Sequence, residues 1–123
     1  MLFRSYPNFI QAHSNLGAVL NKLNRSNEAM PHLEKAIQLD PKFGVAYFNL
    51  GNTYINQGNL DEARKAYDLA VRNGVNFLSM HWKLYDIYTR QEKRLEAKRE
   101  LEIILQIEPG NLEAKKKMKG FLR

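Results

Sequence analysis

The fold is decided by one stretch in the middle of the chain, residues 47–70, which reads YFNLGNTYINQGNLDEARKAYDLA. Apolar residues recur at helical spacing in and around its first half, and this spacing predicts a helix from about Val45 to Gln57. The pair Gly58–Asn59 interrupts the pattern, and Asn59 is a suitable N-cap for a second helix that stops near Asn73–Gly74. The stretch therefore predicts two antiparallel helices joined by a short turn.

The same pattern returns along the chain at an interval of 34 residues. Equivalent positions hold Leu16, Leu50 and Leu84, then Ala29, Ala63 and Ala97, and also Phe9, Phe43 and Phe77. A fixed period of this length is typical of stacked repeats, in which no repeat buries its apolar face alone. Gly17 and Gly51 also recur. Because a mid-helix glycine costs about 1 kcal/mol relative to alanine, we expect close helix contacts there, facing Ala29 and Ala63.

The interval divides the chain into three complete repeats with a short segment at each end. The predicted parts are residues 1–9 (a remnant of a preceding repeat or an N-terminal extension), repeats at 10–43, 44–77 and 78–111, and a capping helix at 112–123. Because the sequence contains no strand pattern and stacked repeats share their core, we expect one cooperative all-α domain.

These repeated residues resemble the signature of the tetratricopeptide repeat family. The second repeat matches at almost every signature position from Tyr47 to Ala70, and lacks only the closing proline, where it has Val75. The third repeat departs from the family, because Tyr85 replaces the small residue of the first helix, Glu92 replaces the turn glycine, and Ile104 replaces the alanine of the second helix. The resemblance implies a right-handed α-solenoid of antiparallel helix pairs, the tetratricopeptide superhelix, followed by an extra capping helix.

The two ends of the chain differ in how they cover the outermost repeats. At the C-terminal end, the apolar side of the capping helix is predicted from Ala114, Met118, Phe121 and Leu122. At the N-terminal end, Tyr6–Phe9 aligns with Asp40–Phe43, the closing turn of a repeat, so we expect a turn there with no helix before it. This predicts a fragment of a longer array or a short protein that has lost a repeat. The outer face of the first repeat would then be bare, which makes self-association through it an expectation.

Positive charge is concentrated in the predicted capping helix. The chain has a formal net charge of +6, and residues 112–123 contain five basic residues against Glu113 alone, a net of +4. A run of lysines on a short end helix is typical of a solvated face. The pattern therefore argues against nucleic acid as a partner and confines that option to the tail.

Several functional classes receive no support from the sequence. Cysteine is absent, which rules out a disulfide framework and a thiolate metal site. No apolar run is long enough for a signal peptide or a membrane span, so we expect a cytoplasmic protein without a membrane partner. His13, His32 and His81 do not cluster in the sequence pattern, and no catalytic triad, phosphate loop or metal-ligand spacing occurs. We expect no enzymatic activity and no cofactor.

The family resemblance also implies a binding site. In tetratricopeptide arrays the first helices of the repeats line a concave groove that takes extended peptides or helices. Carried over by position, the groove residues of this chain are Asn15, Phe48, Asn49, Asn52, Asn56, Trp82, Lys83 and Asp86. Asn15, Asn49 and Lys83 are equivalent positions, and carboxamides there can both donate and accept hydrogen bonds to a peptide backbone. Phe48 and Trp82 are equivalent aromatic residues, which we expect to anchor an apolar ligand side chain.

Two functions stay open at this point. The first is a non-catalytic interaction module that binds a peptide or helix in the groove, within a larger array or complex. The alternative is a structural scaffold that self-associates through its bare N-terminal face, with the asparagines as solvated surface and Phe48 and Trp82 packed between repeats.

A better-known variant of the groove fits this chain poorly. Tetratricopeptide domains that clamp the C-terminal carboxylate of heat-shock chaperones use two lysines, two asparagines and an arginine. At those positions this chain has Ser14, Ala18, Asn49, Ser79 and Lys83. A carboxylate would find too few donors, so we expect no such clamp.

Overall fold

The computed structural model describes the backbone of residues 2–122 and the side chains of residues 9–122. This part of the chain forms seven helices: α1 (Leu2–Lys22), α2 (Ser26–Leu39), α3 (Gly44–Asn56), α4 (Leu60–Arg72), α5 (Leu78–Arg90), α6 (Arg94–Ile107) and α7 (Leu112–Lys119). Across residues 2–122 no strand is formed. The prediction of an all-α fold built from helix pairs is confirmed.

The turn between α3 and α4 lies where the sequence places it, and Asn59 occupies the N-cap position of α4. Its side chain makes no capping hydrogen bond, however. The side chain of Asn111 does cap α7, because it accepts a hydrogen bond from the backbone N–H of Ala114 at 2.9 Å. A capped end stabilises this short helix, which has few hydrogen bonds of its own.

The predicted N-terminal turn is wrong. Helix α1 begins at Leu2 and continues through Tyr6–Phe9 to Lys22 without a break. A proline has a φ close to the helical value and removes only one N–H donor. Pro7 lies near the start of α1, so the lost hydrogen bond falls at the end of the helix and the turns that follow keep theirs.

Three turns between paired helices share one backbone form. Each has a residue with positive φ, namely Asn24 (60°), Gly58 (76°) and Glu92 (58°), at the 34-residue interval. In each case the next residue's N–H bonds back to the carbonyl five residues earlier: Arg25 to Leu20 (2.8 Å), Asn59 to Tyr54 (2.9 Å) and Lys93 to Tyr88 (2.8 Å). This is the Schellman ending of a helix, which favours glycine at the left-handed position. Only the second repeat has glycine at this position, Gly58.

The chain divides into two compact units, an N-terminal unit that ends at Val75 and a C-terminal unit that begins at Asn76. In the N-terminal unit two buried clusters hold the helices together: Ile10 with Ala36 and Ala46, and Leu20 with Ala29 and Leu33. Leu50 of α3 packs against the second cluster, so neighbouring helix pairs share a core. Apolar contacts of this kind are the main source of stability in stacked repeats.

The repeated glycines Gly17 and Gly51 do mark close helix contacts, as predicted. A β-carbon added at Gly17 would lie 2.6 Å from Leu33, and one added at Gly51 would overlap the ring of Tyr67. The facing residues are therefore Leu33 and Tyr67, not the expected Ala29 and Ala63. A large side chain lies flat over each glycine, which leaves no room for a methyl group.

In the C-terminal unit, α7 covers the end of the α5–α6 pair. Ala114 of α7 forms a buried cluster with Leu101 and Ile104 of α6, and Met118 and Phe121 pack against it. This confirms the predicted apolar face of the capping helix at three positions. Leu122 lies outside it, with 73% of its surface exposed.

Candidate functional site

Hydrogen bonds between buried side chains join α1 to α3 in the N-terminal unit. The Asn49 amide donates to the Ser14 hydroxyl at 3.0 Å and to the Ser14 carbonyl at 3.2 Å. The Asn21 amide donates to the Asn49 carbonyl at 3.0 Å, and the Thr53 hydroxyl donates to the Asn21 side-chain oxygen at 3.0 Å. These four residues are buried. Buried polar groups with mutual partners fix one arrangement of the two helices, because any shift leaves a group unsatisfied.

Asn56 extends this network to α2. Its amide donates to the Asn21 carbonyl at 3.2 Å and to the Ser26 hydroxyl at 2.9 Å. Two predicted groove residues, Asn49 and Asn56, therefore use their amide donors within the unit. Asn49 has only 5% of its surface exposed, so the expected ladder of solvent-facing amides does not extend to it.

Phe48 and Asn52 are held in place by one buried residue of α4. The ring of Tyr67 packs against Phe48 with 6.1 Å between centroids, and its hydroxyl donates to the Asn52 side-chain oxygen at 2.6 Å. Burial raises the pKa of Tyr67, so the hydroxyl stays protonated and remains a donor. This hydrogen bond sets the orientation of the Asn52 amide. Phe48 and Asn52 are both half-buried.

Asn15 is exposed and immediately follows Ser14, which is bonded to Asn49. Asn15 thus lies on α1 and Phe48 on α3, the two helices that this network joins. We call Asn15, Phe48 and Asn52 the amide–aromatic surface. It combines an aromatic ring and carboxamides on helices that are fixed against each other.

The remaining predicted groove residues lie on α5 in the C-terminal unit. Trp82 is half-buried, meets Tyr85 edge to face at 5.8 Å between centroids, and packs against the cluster around Leu101. Lys83 is half-buried, and this desolvation lowers the pKa of its ammonium group. Asp86 is exposed and pairs with Arg90 one turn later at 3.1 Å. Trp82 is therefore part of the packing of its own unit.

The histidines do form contacts that the sequence pattern did not indicate. Nδ1 of His13 lies 3.2 Å from Nδ1 of His32, and the two rings stack at 5.4 Å between centroids. Nδ1 of His81 lies 2.7 Å from a carboxylate oxygen of Glu100. Both pairs join the two helices of a repeat across 19 residues, at equivalent positions. That shared separation is the signal that would have predicted them, and it indicates an interhelix packing role.

Two kinds of site find no support in residues 2–122. No helix in this range has both the length and the apolar content of a membrane span. Among the described side chains, no three histidine, cysteine or acidic residues are grouped so that they could hold a metal ion.

Helix pairs that recur every 34 residues, with a core shared between the first two pairs, define a helical-repeat protein. A family model described as tetratricopeptide repeat matches residues 20–85, which is more than half of the chain. The chain therefore belongs to the tetratricopeptide repeat family, and the resemblance seen in its sequence is confirmed.

Comparison with known proteins gives the same family. Over 65 residues the chain is 34% identical to small glutamine-rich tetratricopeptide repeat-containing protein 2 of Mycosarcoma maydis. The match covers 53% of this chain and 18% of that protein, so the chain spans less than a fifth of this relative.

Two solved structures share the fold. The first tetratricopeptide domain of Spaghetti (RPAP3), bound to the HSP90 peptide SRMEEVD, superposes with a TM-score of 0.78 at 22% identity, over 92% of each chain. YrrB, described as a tetratricopeptide protein with an unusual peptide-binding site, also gives a TM-score of 0.78, at 23% identity, over 86% of this chain and 55% of its own.

Proposed function

We propose that this chain is a non-catalytic protein-interaction module that binds a peptide or helical segment on the amide–aromatic surface. The observation that carries the proposal is the double contact of Tyr67, which packs against Phe48 and hydrogen bonds to Asn52. One buried residue thus positions both an apolar anchor and an amide. Side chains that are held in place before binding lose little entropy when a ligand arrives, which favours affinity.

The chemistry of this surface suits a peptide backbone with an apolar side chain. A carboxamide can donate to a carbonyl and accept from an N–H, so Asn15 and Asn52 can pair with backbone groups whatever the sequence. The Phe48 ring can hold one apolar ligand side chain, and aromatic residues of this kind are frequent hot spots. The peptide-binding descriptions of Spaghetti and YrrB support a peptide as the ligand class.

An acidic C-terminal peptide such as the one bound by Spaghetti is not the ligand that we propose. Two of the positions that would have to donate to its carboxylates are Ser14 and Asn49. Both are buried, and the Asn49 amide donates to the Ser14 hydroxyl, so neither side chain is accessible to a ligand carboxylate. We expect SRMEEVD to bind the amide–aromatic surface much more weakly than peptides that suit Phe48.

Peptides selected from a random display library on the immobilised wild-type chain provide the test. We expect Phe48→Ala to weaken their binding about tenfold or more, equivalent to about 1.4 kcal/mol, because the anchor ring is lost. Val71→Ala is the matched control, since it trims an exposed apolar side chain on α4 of the same unit. Equal affinities for wild type and a folded Phe48→Ala variant would refute the proposal.

A second candidate function, self-association, is favoured by an exposed apolar stripe on α1. Its members alternate in steps of three and four residues, which is the spacing of a helix–helix seam: Phe9, Ala12, Leu16 and Val19 of α1, and Leu23 directly after it. The four large side chains are between 42% and 60% exposed. At equivalent positions of α3, Ala46 and Thr53 are completely buried against the preceding helices. The α1 stripe is thus a face that elsewhere in this chain packs against a helix.

We propose a second copy of this chain as the occupant of the α1 stripe. Lys22 is the sole charged residue of α1 among its described side chains, so two copies could meet here with little electrostatic repulsion. Sedimentation velocity over a range of concentrations should show a weak dimer, and Leu16→Glu should abolish it. Leu69→Glu, at an exposed leucine of α4, is the control and should leave it intact. A wild-type monomer at high concentration would eliminate this candidate.

A further inference from the structure

The C-terminal unit contains a pocket of about 340 Å³ between α5, α6 and the residues after α7. Its lining consists of Tyr85, Thr89, Glu92, Lys93, Arg94, Ala97 and Phe121. The volume is at the lower end of the range for ligand pockets in proteins, and suits one large side chain better than a whole small molecule.

The pocket lies where the third repeat departs from the family. Tyr85 stands at the position of Gly17 and Gly51, which lie directly beneath large side chains of the second helices. The Tyr85 ring meets Trp82 edge to face and lines the pocket. Glu92, the residue in place of the turn glycine, lines it as well. Two of the three substitutions that make this repeat irregular thus contribute to the same cavity.

Each aromatic wall of the pocket has a cation against it. The Arg94 guanidinium lies 4.6 Å from the centre of the Phe121 ring and donates to the Gly120 carbonyl at 3.2 Å. The Lys117 ammonium lies 5.7 Å from the centre of the Tyr85 ring. These contacts hold positive charge beside an apolar cavity, because a cation is attracted to the face of an aromatic ring.

We propose that this pocket binds a bulky apolar side chain of a peptide segment in which carboxylates flank that side chain. The buried Ala97 and the two rings provide the apolar surface, and Arg94, Lys117 and Lys93 provide partners for the carboxylates. Glu92 also lines the pocket and lowers its net positive charge, which leaves an excess of cations suited to a few carboxylates but too small for a polyanionic nucleic-acid backbone. This site is separate from the amide–aromatic surface and extends the proposed function to an acidic partner.

Trp82 offers a direct readout, because it is the chain's one tryptophan and contacts Tyr85. Its fluorescence would be followed during titration with three synthetic seven-residue peptides: one with a central phenylalanine flanked by glutamates, one with alanine in place of the phenylalanine, and one with lysines in place of the glutamates. We expect the first to bind at least tenfold more tightly than either of the others. Equal binding of the first two would overturn the proposal, and so would tighter binding of a uridine oligonucleotide than of the first peptide.

Two variants of equal charge separate the pocket from general electrostatics. Arg94→Gln removes the cation against Phe121, and we expect it to weaken the first peptide five- to tenfold. Arg99→Gln removes an exposed cation from the same helix outside the pocket lining, and should leave the affinity unchanged. Equal affinities in the two variants, with circular dichroism confirming that both are folded, would refute the pocket. The amide–aromatic surface is tested with other peptides and at Phe48, so either proposal can fail alone.

Discussion

Replacing Glu92 with glycine should stabilise the protein. Glu92 has a φ of 58°, in the left-handed region, at the position that is Gly58 in the second repeat. A side chain in this region costs about 1–2 kcal/mol. Relief of this strain is offset in part, because glycine has more conformational freedom in the unfolded chain, which costs about 0.5–1 kcal/mol of stability. The Schellman hydrogen bonds of this turn use backbone groups only, so they survive the substitution. We therefore expect Glu92→Gly to raise the free energy of unfolding by about 1 kcal/mol.

Urea unfolding followed by Trp82 fluorescence measures this change, because Trp82 and Glu92 lie in the same compact unit. A gain of about 1 kcal/mol corresponds to a rise of about 4 °C in the melting temperature for a chain of this size. Glu92→Ala is the matched control, since it removes the same charge but keeps a β-carbon in the strained backbone. The reasoning would be refuted if Glu92→Gly were no more stable than Glu92→Ala.

Three further perturbations test other parts of the structure. Gly51→Ala should destabilise by about 1–3 kcal/mol in a urea melt, because its methyl group would overlap the Tyr67 ring, whereas Gly110→Ala, which meets only open space, should change little. Asn49→Ala should cost about 1–3 kcal/mol of unfolding free energy, since the buried Ser14 hydroxyl loses its partner; a loss below about 0.5 kcal/mol would contradict the network. Burial raises the pKa of Tyr67, so the unfolded chain releases this proton first and stability should fall as the pH rises above the ordinary tyrosine pKa of about 10. Alkaline titration of Tyr67→Phe should show a shallower fall, and an unchanged slope would count against this linkage.

In the irregular third repeat, Glu92 combines a cost in stability with a place in the proposed pocket. Glu92 takes up a strained backbone conformation and also lines the proposed pocket. Strain in a native structure is often found at functional positions, where it is offset by contacts elsewhere. If the pocket proposal holds, Glu92→Gly should improve stability and, by removing a negative charge from the rim, should also strengthen binding of the acidic peptide.

The sequence alone was sufficient for the repeat architecture. Helical spacing around Tyr47–Ala70 and the break at Gly58–Asn59 are local signals, because a residue's position on a helix face and its turn preference depend on near neighbours in the chain. The same reasoning located the close contacts at Gly17 and Gly51. It failed at Tyr6–Phe9, because alignment with the later turn at Asp40–Phe43 predicted a turn there, whereas α1 continues through these residues. A helix can contain a proline near its start.

The candidate site depended on contacts that local patterns do not contain. The repeat positions correctly put Asn49 and Phe48 on the first helix of a repeat, but Asn49 is buried because α1 lies against that face and Ser14 accepts its hydrogen bonds. Likewise, only the packed structure shows that Tyr67 holds both Phe48 and Asn52, or that Arg94 meets Phe121 across 27 residues of sequence. Periodicity therefore determined which helices form and in what order. Which side chains are exposed, paired or gathered into a pocket was decided by tertiary packing, since the neighbour that covers a helix face comes from a distant part of the chain.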